Sequence, residues 1–221
     1  MGGGGKTSLI EHLGVEASRA GMRVAITTTT KIWVKEPFTL IEQMARQKAT
    51  AAGALLRIGK QVERGKLTGV DFADIEQLGE NFDLVLIEAD GAKGYPLKYP
   101  ADYEPVIPPF SDRVVVVAGL DGLTGRVAKK VFRWELGRKA AGWNAGTIVT
   151  AAVFERLFEK DGLMKGINPE TCIIVLNKYD ACREREKVPE LARTISGRTA
   201  GAPVVITSVR HAIFYRLTQL S

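Results

Sequence analysis

Apolar positions in this chain switch between two periods. From residue 7 to 20 they fall at Leu9, Ile10, Leu13, Val15 and Ala17, the spacing of one helix face, and Gly21 predicts the stop. Residues 23–29 (Arg-Val-Ala-Ile-Thr-Thr-Thr) read as a strand, and helical periodicity returns over 38–52. Residues 54–62 are ambiguous, with Leu55, Leu56, Ile58 and Val62 suggesting a short strand near Gly59. Asp71 predicts the N-cap of a helix running through Leu78. Residues 82–88 and 113–118 are apolar enough for buried strands, with helical patterns near 126–137 and 150–160. A strand at 172–176, a helix at 184–196, a last strand at 203–207 and a C-terminal helix over about 209–219 complete the pattern. Between them, 89–110 carries Pro96, Pro100, Pro105, Pro108 and Pro109 with two glycines, which excludes a long helix or a central strand.

Near-continuous Val, Ile and Leu runs alternating with helices predict an α/β fold with a mostly parallel sheet covered on both faces. No compositional break divides the chain, so residues 1–221 read as a single domain, and 45% hydrophobic residues supply a core. No apolar run reaches membrane-spanning length, and no secretory signal pattern opens the chain. Cys172 and Cys182 are too few for a disulfide framework and not spaced as metal ligands, so the reducing cytosol is the expected compartment. The net charge of +6 comes from scattered basic residues, with a modest concentration at Arg126, Lys129, Lys130, Arg133, Arg138 and Lys139. No nucleic-acid module accompanies them, which favours a solvated face with phosphate-binding lysines over a nucleic-acid partner.

The candidate chemistry lies at the two ends of the chain. Gly2, Gly3, Gly4 and Gly5 lead through Lys6, Thr7 and Ser8 into the first helix. Glycines let backbone amides approach phosphate oxygens, and the helix adds its unpaired N–H groups. Lys6 would reach the terminal phosphates and Thr7 would offer a hydroxyl to Mg²⁺. The strand that ordinarily leads into such a loop is missing from the pattern before Gly2. At 177–180, Asn-Lys-Tyr-Asp follows a buried strand. There Asp180 would accept hydrogen bonds from the guanine ring N–H and amine, which adenine does not offer. Lys178 would lie along the base, Asn177 would tie this loop to the phosphate loop, and Ser208 would add a contact from the end of the last strand. The strand 82–88 ends in Glu88-Ala89-Asp90-Gly91, where a carboxylate can hold Mg²⁺ through water; Asp90 is the first choice and Glu88 the second.

The block Glu-Ala-Asp-Gly-Ala-Lys-Gly-Tyr-Pro-Leu-Lys (88–98), with Glu104-Pro105-Val106-Ile107-Pro108, resembles the YqeC-like family. Thr27-Thr28-Thr29-Thr30-Lys31, Gly65-Lys66-Leu67 and Leu176-Asn177-Lys178-Tyr179-Asp180 fit it too, so the resemblance spans nearly the whole chain. It implies a P-loop NTPase-like three-layer α/β/α fold and an accessory role for selenium-dependent molybdenum hydroxylases, with the hydroxylase or its cofactor-assembly proteins as partners. The expected ligands are GTP, with ATP as the second nucleotide, and Mg²⁺. Lys6, Asp90 and Lys93 are the candidate catalytic groups. Lys93 and Lys98 would flank a proline-stiffened loop that binds an anion, with Glu104 orienting them, and Thr30 and Lys31 would sit at a strand end used for switching. Two other readings stay open: a small-molecule kinase or nucleotidyltransferase, and a nucleotide-gated chaperone or scaffold without useful turnover. His12 and His211 lack partners at ligand spacing, Cys172 reads as inert core and Cys182 as semi-exposed, and Trp33, Trp134 and Trp143 read as packing residues.

Overall fold

The structure, a computed structural model, describes residues 1–44 and 51–216. They divide into two compact units. One holds Thr7–Gly91 and Val106–Pro109; the other holds Met1–Lys6, Ala92–Pro105 and Phe110–Ser221.

In the unit built on Thr7–Gly91, helix α1 (Lys6–Arg19) precedes strand β1 (Val24–Thr28), whose five residues are all buried. β2 (Lys31–Trp33), β3 (Thr39–Leu40) and the short helix α2 (Ile41–Met44) follow. Of the helix expected over 38–52, residues 45–50 lie outside the described residues. The described part is helical only at α2, because Thr39 and Leu40 pair with β4 (Leu55–Gly59) instead. β5 (Val62–Glu63), β6 (Lys66–Thr68), α3 (Phe72–Asn81) and β7 (Leu84–Glu88) complete the unit. Its main sheet runs β3-β4-β1-β7, all parallel, and its register sets Thr28 opposite Glu88. A small antiparallel sheet, β2-β6-β5, lies in the same unit. α3 starts at Asp71, whose backbone N–H donates to Asp74 at 3.1 Å, and its Leu78 joins Ala25, Ile58 and Phe82 in one core cluster.

The other unit carries β8 (Leu97–Lys98), β9 (Val114–Gly119), α4 (Val127–Lys130), β10 (Val131–Phe132), α5 (Arg138–Ala141), α6 (Ala151–Arg156), β11 (Cys172–Asn177), α7 (Val188–Arg198), β12 (Val204–Ser208) and β13 (Ile213–Arg216). Its main sheet runs β13-β12-β11-β9, parallel except for β13, and Asn177 stands opposite Gly119. β8 and β10 form a second, parallel pair. The helix expected over 126–137 stops at Lys130, because Val131 and Phe132 enter that pair and Arg133 takes a left-handed conformation (φ 59°). The expected C-terminal helix is absent from 209–216: Ala212 (φ 54°) turns the chain, and Ile213–Arg216 run antiparallel to β12. Residues 217–221 lie outside the described residues.

Met1 and Gly2, at the start of the glycine loop, lie along β9. The Met1 amino group donates to the Val115 carbonyl at 2.7 Å, and the Val117 N–H donates to the Met1 carbonyl at 2.9 Å. Gly2 bridges Val117 in parallel, so these residues follow the edge of β9 for one bridge without forming a regular strand. The molecule is α/β, with mostly parallel sheets and helices on their faces, the layout of a P-loop-like three-layer fold. No helix of the described residues is long and apolar enough to cross a membrane.

Candidate functional site

The glycine loop is shaped by contacts that side chains would block. Gly2, Gly4 and Gly5 have φ of 97°, 78° and 108°, in the left-handed region that favours glycine. A Cβ on Gly3 would come within 2.8 Å of the Pro96 carbonyl oxygen, and one on Gly5 within 2.8 Å of Asn177 Nδ2. The Gly3 N–H donates to Val117 at 2.9 Å and the Gly4 N–H to Tyr95 at 3.0 Å. These two amides therefore hold the loop in place, and the amides of the first turn of α1 are the ones without helical acceptors. The buried Lys6 Nζ donates to the Gly2 carbonyl at 2.5 Å, curling the ammonium over the loop.

Asn177 closes this arrangement. Its Nδ2 donates to the Gly4 carbonyl at 2.9 Å, while its Oδ1 accepts from Thr207 Oγ1 at 2.9 Å and from the Val209 N–H at 3.1 Å. Lys178 takes a left-handed conformation (φ 64°), and its Nζ lies 2.9 Å from Asp121 Oδ2. Asp121 Oδ1 is buried with no hydrogen-bond partner among the described residues. Asp180 is about one-third exposed and accepts from Ser208 Oγ at 2.5 Å. That hydrogen bond is the main reason the Asp180 carboxyl sits below its ordinary value, with His211 and Arg210 assisting. Ser208 thus acts on Asp180 directly. Arg185 braces the turn through Tyr179 and Asp180 carbonyls.

Sequence reasoning missed three members of this cluster. His211 is expected from sequence to have no partner at ligand spacing, yet its Nε2 lies 3.6 Å from Asp180 Oδ2. Asp121 and Arg185 carry no motif of their own; only the pairing of β9 with β11 brings Asp121 to Lys178.

In the other unit, β1 and β7 end side by side. The exposed Thr7 hydroxyl donates to Glu88 Oε2 at 2.7 Å. A hydroxyl and a carboxylate held together are hard oxygen donors of the kind Mg²⁺ takes alongside a nucleotide phosphate. Glu88, the second choice from sequence, is therefore the carboxylate on Thr7, while Asp90 is fully buried two residues on. No group of three or more His, Cys, Asp or Glu that could hold a metal by itself occurs among the described residues. Ser8 is exposed on the first turn of α1. Thr30 lies beyond the end of β1, 3.3 Å from the Thr28 hydroxyl, whereas Lys31 opens β2 and its exposed side chain pairs with Glu63 at 2.5 Å.

Lys93 and Lys98 do not share a role. Lys98 is fully buried and pairs with Glu104 at 2.7 Å; the same carboxylate oxygen also accepts from Arg133. Lys93 is exposed, with its Nζ 5.5 Å from the Phe132 ring centre.

Of the residues set aside from sequence, Cys172 and Trp143 are placed as expected and Cys182 and Trp33 are not. Cys182 is buried rather than semi-exposed, and Cys172 is buried as core. Trp143 packs edge-on to Tyr99, but Trp33 is 70% exposed with Lys66 over its ring, so it is not a packing residue. Trp134 is half-buried. His12 contacts Glu16 on the same helix at 3.3 Å.

The chain is 28% identical over 207 residues to "Uncharacterized protein YqeC" of Escherichia coli (strain K12), a span covering 88% of this chain and 80% of that protein. No solved structure matches it. The family described as YqeC protein matches residues 1–135, which take in the glycine loop, the Thr7–Glu88 pair and the proline-rich block. The match covers more than half of the sequence, and the chain belongs to the YqeC family.

Proposed function

We propose that the chain is a GTP-binding, Mg²⁺-dependent P-loop nucleoside triphosphatase acting as an accessory factor in the maturation of a selenium-dependent molybdenum hydroxylase cofactor. The observation that carries the nucleotide reading is the Asn177 side chain, which ties the end of β11 to the glycine loop through Gly4 and to the end of β12 through Thr207 and Val209. A phosphate-binding loop and a base-reading loop need that mutual fixing if one ligand is to engage both. Asp180, held by Ser208, presents an ionised acceptor suited to the guanine ring N–H and amine. Thr7 and Glu88 would hold Mg²⁺, which neutralises charge on the terminal phosphates. Lys6 would move from the Gly2 carbonyl to a phosphate oxygen, and Asp90 is the second carboxylate at the same strand end. The accessory role rests on the resemblance of the 88–108 block alone.

Thermal protection tests the base assignment. GTP with Mg²⁺ is expected to raise Tm more than ATP does. Asp180→Asn, which replaces an acceptor by an amide donor, is expected to weaken GTP binding and improve that of xanthosine triphosphate, whose ring carries a carbonyl in place of the amine. Protection by ATP and not by GTP would overturn the role given to Asp180.

A further inference from the structure

The proline-rich block and β10 together hold a positively charged cluster, of which the sequence reading offered only Lys93 as a catalytic candidate. Three cations surround one ring: Lys93 Nζ at 5.5 Å, Lys98 Nζ at 6.0 Å and Arg133 Cζ at 4.9 Å from the centre of Phe132. One carboxylate, Glu104, serves two of them, pairing with Lys98 at 2.7 Å and with Arg133. No acidic partner approaches Lys93 among the described residues.

The cluster is graded from rigid to open. Lys98 is fully buried, Glu104 is nearly so, and the Arg133 side chain is 26% exposed. Arg133 is fixed by Glu104 on one nitrogen and by the Tyr103 hydroxyl on another, at 2.8 Å. Lys93 stands at the exposed end. Both Lys93 (φ 47°) and Arg133 (φ 59°) hold left-handed backbone, where a long side chain is disfavoured and glycine would fit more easily. Two cations are thus kept at strained positions beside one ring. Cations gathered against an apolar ring, partly out of water, recruit an anion. The segment is also anchored beside the glycine loop, since the Tyr95 carbonyl accepts from Gly4 at 3.0 Å and the Pro96 carbonyl from Gly119 at 2.8 Å.

We infer that Lys93, Arg133 and the Phe132 ring form a binding site for an oxyanion, a phosphate-, sulfate- or carboxylate-bearing small molecule, distinct from the phosphate-binding glycine loop. The site holds whether or not the nucleotide reading does. Lys93 supplies the charge that closes on the ligand, and Arg133, oriented by Glu104, supplies a fixed planar donor. The buried Lys98–Glu104 pair positions Arg133 and does not touch the ligand.

The test uses inorganic phosphate and acetate, titrated into the full nucleotide-free chain without Mg²⁺ and followed by backbone amide NMR. Shifts at Lys93, Phe132 and Arg133 are expected to saturate on a binding curve separate from that of Gly3–Lys6. Lys6→Met keeps the buried stem of Lys6 and removes its charge; in that variant the response at Lys93 is expected to persist. Lys93→Asn suits the left-handed backbone and removes the charge; it is expected to weaken phosphate binding at this face at least tenfold, with Lys93→Arg restoring it. Shifts confined to Gly3–Lys6, or unchanged binding in Lys93→Asn, would overturn the assignment. Acetate binding as tightly as phosphate would mark the site for carboxylates, and phosphate binding more tightly would mark it for phosphate- or sulfate-type groups; both outcomes support it.

Discussion

Asn177 Nδ2 lies 2.9 Å from the carbonyl oxygen of Gly4, a hydrogen bond that joins positions 173 residues apart. The same side chain accepts from Thr207 and Val209, so its amide uses both ends. Removing it strands a buried carbonyl, a buried hydroxyl and a buried N–H at once. Asn177→Ala is expected to destabilise the fold by about 2–4 kcal/mol, since each unsatisfied buried group costs on the order of 1–3 kcal/mol and some relaxation occurs. Asn177→Asp, which sets an acceptor against the Gly4 carbonyl, should cost at least as much. Urea denaturation of the two variants checks this.

Glu104 is a counterion of the fully buried Lys98 ammonium. Glu104→Gln keeps the shape and removes the charge, and breaking a buried pair from one side costs about 3–5 kcal/mol. Arg133→Gln leaves the Lys98–Glu104 pair in place and removes a partner that is itself partly in water, so its cost is expected to be smaller, about 1–2 kcal/mol. Equal losses from the two variants would show that Arg133, not Lys98, is the partner Glu104 chiefly stabilises.

The Thr7 hydroxyl on Glu88 makes a prediction about metal dependence. Thr7→Val preserves volume but takes a donor from the buried Glu88 carboxylate, so stability is expected to fall by about 1–2 kcal/mol. It removes an oxygen that the proposed function gives to Mg²⁺, so Mg²⁺-dependent GTP affinity is expected to fall about 10–100-fold, the range typical of lost metal-orienting contacts. Affinity measured in chelator should change far less. A fluorescent GTP analogue titrated with and without Mg²⁺ separates the two effects.

Buried parallel strands were the most legible part of the sequence, because both faces are covered and the apolar run is continuous. Val24–Thr28, Val114–Gly119, Cys172–Asn177 and Val204–Ser208 carry that mark, whereas Leu84–Glu88 is legible from its apolar run although only Glu88 in it is buried. The two- and three-residue strands carry none, being too short for any period to show. Ile213–Arg216 misled because Val209, Ile213 and Phe214 also fit a helical face; the left-handed Ala212 and the pairing with β12 decide against it. At the candidate site, motif residues were legible as local strings. The partners that organise them were not: Arg133 meets Glu104 across 29 residues and His211 meets Asp180 from the turn that follows β12, and neither separation leaves a trace in spacing.

Cys172 opens β11 and is buried, and burial pushes its thiol from 9.0 up to about 11, slightly opposed by the charge of the Met1 amino group. In the unfolded chain the thiol ionises near its ordinary value, so between pH 9 and about 11 the folded state binds more protons than the unfolded one. Stability contributed by this group is therefore complete below pH 9 and is lost as pH rises through that window. The loss approaches about 2–3 kcal/mol once both forms are ionised, at 1.36 kcal/mol per pKa unit. Tyrosines and lysines titrate nearby, so the measurement is a difference. Denaturation midpoints of the parent and Cys172→Val should diverge in favour of the variant as pH rises from 9 to 11, relative to their separation at pH 7. The native thiol should also react with a thiolate-selective alkylating reagent at pH 8 far more slowly than the same thiol in denaturant, because the thiolate is the reacting species. Fast alkylation of Cys172 in the native protein, or a pH-independent separation of the two midpoints, would show that this end of β11 opens to solvent.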